Sequence, residues 1–120
     1  MDKSNREFAG KLEKRTKDFA LMIINIASQL PNNAVGNIIR YQVIKSGTSI
    51  GANYREANRS VSLADFKNKI GICVKEASET QYWLEIIMET KLIVGDEIQH
   101  IHKECSELLA LFTSIARKRK

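Results

Sequence analysis

Turn-forming residues are scarce in this chain, with one proline and six glycines among 120 residues. An all-β sandwich or barrel needs turn signals every few residues, so this scarcity points to a few long elements. Cysteine is equally thin. Cys73 and Cys105 both fall on apolar helical stripes, which suits small core residues of a cytoplasmic protein better than a disulfide. No stretch approaches the roughly 18 uninterrupted apolar residues of a membrane span. The N-terminus also lacks the apolar run of a secretory signal, so neither export nor a membrane partner is expected.

Reactive groupings are missing as well. His100 and His102 stand two apart on a helical pattern and do not face each other. With Cys105 they offer neither zinc spacing nor a fourth ligand. Glu76 with Glu79, and Glu85 with Glu89, lack the Glu-x-x-His sets of a di-iron bundle. No serine has a histidine motif beside it, and no glycine loop is built for phosphate. No catalytic residue, no metal and no cofactor is therefore expected.

What the chain does have is helical periodicity. Leu63, Phe66, Ile70, Cys73, Ala77, Thr80, Leu84 and Ile87 recur at steps of three and four, the mark of one buried helical face. Ser62 with Asp65 opens this helix as a capping box, and it runs to roughly Thr90 or Leu92. A first helix carries Phe8, Leu12, Phe19, Met22, Ile23, Ile26 and Leu30, with Arg15 or Thr16 filling the missing apolar turn. Pro31-Asn32-Asn33 then punctuates the chain. A second helix spans about Ala34 to Ala57, and Gly95-Asp96 starts a fourth with Ile98, Ile101, Cys105, Leu108, Phe112 and Ile115. Short loops make sequential helices antiparallel neighbours, so the expected fold is all-α, an up-down-up-down four-helix bundle. It is expected as a single domain over residues 1–120, flexible at about 1–7 and 117–120.

The second helix departs from a plain amphipathic pattern. Its core series reads Ile39, Val43, Ser46, Ile50, Asn53, Ala57, and each buried polar group needs a partner or costs about 1–3 kcal/mol. Gln42, Ser49 and Glu56 form a parallel stripe beside Lys45. If the second and third helices fold back around residue 60, Lys45 comes beside Glu76 and Asn53 comes near Lys67. Gln42, Lys45, Ser46, Ser49, Asn53, Glu56 and Glu76 are thus expected to form a structural polar network. Gly47 and Gly51, four apart, make sense where a helix or a second subunit approaches the backbone closely.

These same segments resemble a known family. Gln42, Lys45, Ser49, Ile50, Asn53 and Glu56 match a glutamine and a basic residue placed before a Ser-Ile-x-x-Asn-x-x-Glu run. Glu76, Glu79, Trp83, Leu84 and Glu85 match the third-helix pattern that follows it. This is similar to the small bacterial four-helix-bundle proteins first noticed as reading frames within 23S rRNA intervening sequences. More distantly, it resembles the accessory bundle protein of diversity-generating retroelements. Lysine stands at position 45 where arginine is common, and Ala57 where glycine often follows the glutamate. The resemblance implies a ring of subunits, expected to be pentameric, no established enzymatic activity, and a relative that binds nucleic acid and a protein partner.

Charge is the remaining signal. The formal net charge is +5, but Arg117, Lys118, Arg119 and Lys120 hold most of it, so the rest of the chain is nearly neutral. That tail, with Arg40, Arg55, Arg59, Lys67 and Lys69, is the candidate contact surface for RNA or DNA. Tyr41, Ile44, Gly47, Gly51 and Trp83 are the candidate subunit interface. The expected function is a non-enzymatic, self-associating accessory protein that contacts nucleic acid. The competing expectation is a scaffold that binds only protein.

Overall fold

The computed structural model describes residues 2–118. It contains α1 (Lys3–Ala27), α2 (Ala34–Asn58), α3 (Leu63–Glu89) and α4 (Asp96–Lys118), and no strand among the described residues. The helices run up-down-up-down in one four-helix bundle, 47 × 23 × 20 Å. Helices of 25 to 27 residues at 1.5 Å each account for about 38–41 Å of the long dimension. Helices α2 and α3 pack most extensively, while α1 meets α4 along the loosest side.

Each start has a local cause. The side chain of Asp2 accepts from the Asn5 amide at 2.8 Å, Asn33 from Gly36 at 2.8 Å, and Ser62 from Asp65 at 3.1 Å, the N-cap contact that satisfies an orphan donor. With Asp2 as cap, residues 3–7 belong to α1. Helix α3 ends with Lys91 at φ 59° and the Leu92 amide donating to the Ile87 carbonyl at 3.2 Å. That is a Schellman closure, with lysine where glycine is usual.

The core follows the expected stripes on α3 and α4, from Ile70 to Ile87 and from Ile98 to Phe112. On α1, Thr16 fills the missing apolar turn, fully buried with its hydroxyl given to the Leu12 carbonyl at 2.9 Å. Phe8 lies outside the stripe at 48% exposure, and Ala9 takes its place. Leu63 is exposed and Phe66 half-buried, because the bundle thins before the first turn of α3 is covered. On α2 the expected core residue Asn53 is only half-buried. The buried position is Tyr54, packed edge-on to Phe112 with ring centroids 5.3 Å apart.

Glycine decides how closely α1 and α2 approach. A Cβ at Gly47 would stand 2.9 Å from the Ile23 side chain, and one at Gly51 would stand 3.1 Å from Thr16 Oγ1. Gly36 is tighter still, since any Cβ there would lie inside the Pro31 carbonyl oxygen. Gly36→Ala must therefore displace backbone and should cost about 1–3 kcal/mol. Gly10→Ala, with nothing within 4 Å of its Cβ, should instead stabilise by up to about 1 kcal/mol. Thermal melts of the two variants check this, and equal shifts would show that the turn relaxes freely.

Candidate functional site

The polar residues of α2 look toward α3 but do not form one connected network. Ser46 and Thr80 are buried, their hydroxyl oxygens 2.9 Å apart, and Thr80 also lies 2.7 Å from the Glu76 carbonyl. Each hydroxyl carries one proton, so Thr80 gives its proton to Glu76 and Ser46 gives its own to Thr80. Asn53 Nδ2 donates to the Ser49 carbonyl at 2.8 Å, and Ser49 Oγ to the Lys45 carbonyl at 2.6 Å. These are bonds back onto the same helix. Glu56 is a rim residue that pairs with Lys69 at 3.1 Å. Gln42 is half-buried on the same side.

The cross-helix pairs also correct the register. Glu56 with Lys69, Ile50 with Cys73 and Ser46 with Thr80 place the fold-back about two residues later than residue 60. Asn53 is therefore not the partner of Lys67. Lys45 does act on Glu76. Burial, then the neighbouring Glu79 charge, hold the Glu76 carboxyl above its ordinary value, while Lys75, Lys45 and a shared Ser49 proton oppose them. Cys73 and Cys105 are inert in this setting, each thiol pushed up to about 12 chiefly by burial.

The basic candidates separate into engaged and open groups. Arg40 is structural: its guanidinium reaches the Ala27 carbonyl at 3.2 Å, the Leu30 carbonyl at 2.5 Å and the Pro31 carbonyl at 3.2 Å. It closes the carbonyl end of α1 and is withdrawn from the contact surface. Lys69 is held by Glu56, and Arg55 stands 3.8 Å from Glu13. Arg59, Lys67, Arg117 and Lys118 are exposed, while Arg119 and Lys120 lie outside the described residues. The open four share one end of the bundle, where α1 and α3 begin and α2 and α4 end. Glu85, Glu89, Asp96 and Glu97 occupy the opposite end, so charge is graded along the bundle.

The proposed subunit surface is also divided. Gly47 and Gly51 face α1 of the same chain and leave that surface. Tyr41 remains outward at 62% exposure, with Leu21, Ile24 and Ile38 also exposed on α1 and α2, while Ile44 is half-buried. Trp83 packs partly against the core and edge-on to Tyr82. Its indole Nε1 is buried without an acceptor among the described residues.

At the basic end lies a cleft of about 350 Å³ that the sequence pattern does not announce. Phe8, Tyr54 and Phe66 supply aromatic surface to it, and Asn5, Asn58 and Lys118 supply polar groups. The Asn58 amide nitrogen is held by Glu13 Oε2 at 2.9 Å.

The family model for the 23S rRNA-intervening sequence protein matches residues 11–114. The chain belongs to that family. A solved structure from Bacteroides thetaiotaomicron, described as a protein with unknown function from the S23 ribosomal protein family, is similar at 39% identity with a TM-score of 0.80. The similarity covers 87% of this chain and 96% of that one. No match to a curated protein is found. As a 23S rRNA-intervening sequence protein, the chain carries the matched segment through all four helices, yet Asn5, Phe8 and Lys118 of the cleft fall outside it. Phe8 and Phe66 read as core positions because they fit the helical period; only the thinning of the bundle end shows them as cleft walls.

Two outcomes test this assignment of roles. Arg40→Ala leaves backbone carbonyls without their donor and should cost about 1–3 kcal/mol, whereas Arg59→Ala should leave the melting temperature nearly unchanged. For Glu76, the folded chain holds a proton that the unfolded chain has already lost. Its contribution is therefore greatest below the ordinary value of about 4.5 and declines as pH rises from there toward the raised folded value. Urea melts across that window should show a shallower decline for Glu76→Gln than for the parent chain.

Proposed function

We propose that this family member is a non-enzymatic, cytoplasmic accessory protein that self-associates and contacts nucleic acid through its basic end. The single observation that carries this reading is the gathering of Arg59, Lys67, Arg117 and Lys118, all exposed, at one end of a bundle whose other end is acidic. Cations grouped this way release counterions when they meet phosphate, and the affinity gained is salt-dependent. Two of the carboxylates nearby are engaged with cations. Glu56 is paired with Lys69 and Glu13 stands 3.8 Å from Arg55, while Asp2, Glu7 and Asp65 carry carboxylates at the same end. Buried thiols and hydroxyls bound to backbone support a role without covalent chemistry.

Self-association draws support from the exposed apolar side chains Leu21, Ile24, Ile38 and Tyr41 on α1 and α2, which a subunit contact would remove from water. A ring of about five is the assembly that the family resemblance implies. The same exposed side chains favour the second reading, a scaffold that binds only protein.

Binding to RNA and DNA at several salt concentrations separates the two. The slope of log affinity against log salt should fall by about 0.7 to 0.9 for each cation removed among Arg59, Lys67, Arg117 and Lys118. Absence of binding at low salt would leave the scaffold. Light scattering should give a multiple of 13.6 kDa, reduced by Tyr41→Asp with helicity retained. A 13.6 kDa particle at high concentration would end the self-association reading.

A further inference from the structure

Resting on the nucleic-acid reading above, we propose that the cleft at the basic end receives one unstacked base of a single-stranded nucleic acid, with Phe8 and Phe66 as its walls. Phe8 is the starting point. A phenylalanine at 48% exposure beside a cleft gains nothing for the core, whereas a base has a π face that an exposed ring can cover. Phe66 is half-buried at the same cleft, and Tyr54 lies buried behind it, braced edge-on by Phe112. Three aromatic residues drawn from α1, α2 and α3 thus meet at one place.

The polar groups present match the remainder of a nucleotide. Asn58 has its amide nitrogen tied to Glu13, which leaves its carbonyl oxygen to accept from a base edge. Asn5 adds a second side-chain amide. Lys118 lines the cleft, and Arg59, Lys67 and Arg117 stand at the same end of the bundle, where phosphates on either side of an inserted base would pass. An aliphatic ligand would satisfy the rings but waste both asparagines. A duplex would satisfy the cations but keep its bases stacked and out of reach. The cleft volume of about 350 Å³ lies at the small end of ligand sites, consistent with one base and not a stretch of several.

Part of this cleft is built by residues outside the family match. Asn5 and Phe8 precede it, and Lys118 follows it. Base insertion would accordingly be a property of this chain, separable from whatever residues 11–114 provide throughout the family.

The test compares three ligands of equal phosphate count by fluorescence anisotropy: oligothymidylate, the same backbone with every base removed, and a duplex. Oligothymidylate should bind about 5- to 100-fold tighter than the abasic strand. Phe8→Ala and, separately, Phe66→Leu should erase most of that difference while leaving duplex and abasic affinities unchanged. Because Phe8 is half exposed, its variant should keep the parent melting temperature, which circular dichroism confirms. Equal affinity for oligothymidylate and abasic strand would overturn base insertion and leave the basic-end reading standing. Failure of all three ligands to bind at low salt would overturn both.

Discussion

Helices as long as α2 and α3 can slide past one another by a turn and still bury apolar side chains, so something other than hydrophobicity must hold them in place. The buried Ser46–Thr80 contact does this. The two hydroxyls meet at 2.9 Å, and the Glu76 carbonyl accepts the proton left over. Slipping the helices by one turn would break this cross-helix contact, leaving Thr80 with the Glu76 carbonyl and Ser46 with only the long 3.5 Å bond to the Val43 carbonyl of its own helix, a loss of about 1 kcal/mol. Correctly registered, the pair costs little. Cys73 and Cys105 reinforce the arrangement more weakly, each sulfur touching a backbone carbonyl on the adjacent helix.

The α1–α2 contact solves the same problem by shape. Gly47 and Gly51 open a slot into which Ile23 and Thr16 fit, so any other register would drive a side chain into backbone. Arg40 then fastens the turn between the two helices by covering the Leu30 and Pro31 carbonyls beyond α1 and adding to the Ala27 carbonyl, which also takes the Leu30 amide. On the loosest side, Arg15 spans α1 to α4 with a fork on Glu104 at 2.7 and 2.8 Å, plus Glu107 at 3.0 Å. Both carboxylates hold its guanidinium firmly charged. Helix contact in this bundle therefore passes from a buried hydroxyl pair between α2 and α3, through small-residue packing between α1 and α2, to a surface ion cluster between α1 and α4 as it loosens.

The helices, their caps and the stripes on α3 and α4 are legible in the sequence because period and capping are local properties. Asn33 and Ser62 act on amides three residues away, within reach of any reading of a short window. The register is not local. It depends on where the chain reverses, and a shift of about two residues there is enough to take Lys67 from Asn53 and give Lys69 to Glu56, although Lys45 still reaches Glu76. Arg40 shows a second limit. Its acceptors lie nine to thirteen residues back in the chain, and nothing in the charge pattern separates it from Arg59, which is exposed. Helical spacing places Asn53 in the core series of α2, but the larger apolar area of Tyr54 takes the interior position instead.

Charge placement joins these structural facts to the functional reading. Arg15, Arg40 and Lys69 are spent on holding helices together, so net charge overstates the cations open to a partner. Of the candidate contact residues, the open four, Arg59, Lys67, Arg117 and Lys118, stand at one end, while Glu85, Glu89, Asp96 and Glu97 stand near the α3–α4 turn at the other. Such a gradient restricts useful assemblies. Bundles packed side by side with their axes antiparallel would alternate basic and acidic ends and cancel the field on each face. Bundles related by a rotation axis parallel to their length would place every basic end on one face. The charge and every cleft would then be repeated around the axis. Counterion release grows with the number of phosphates neutralised together, so an exposed set too small to hold nucleic acid tightly from one subunit gains strength in the parallel arrangement and none in the antiparallel one.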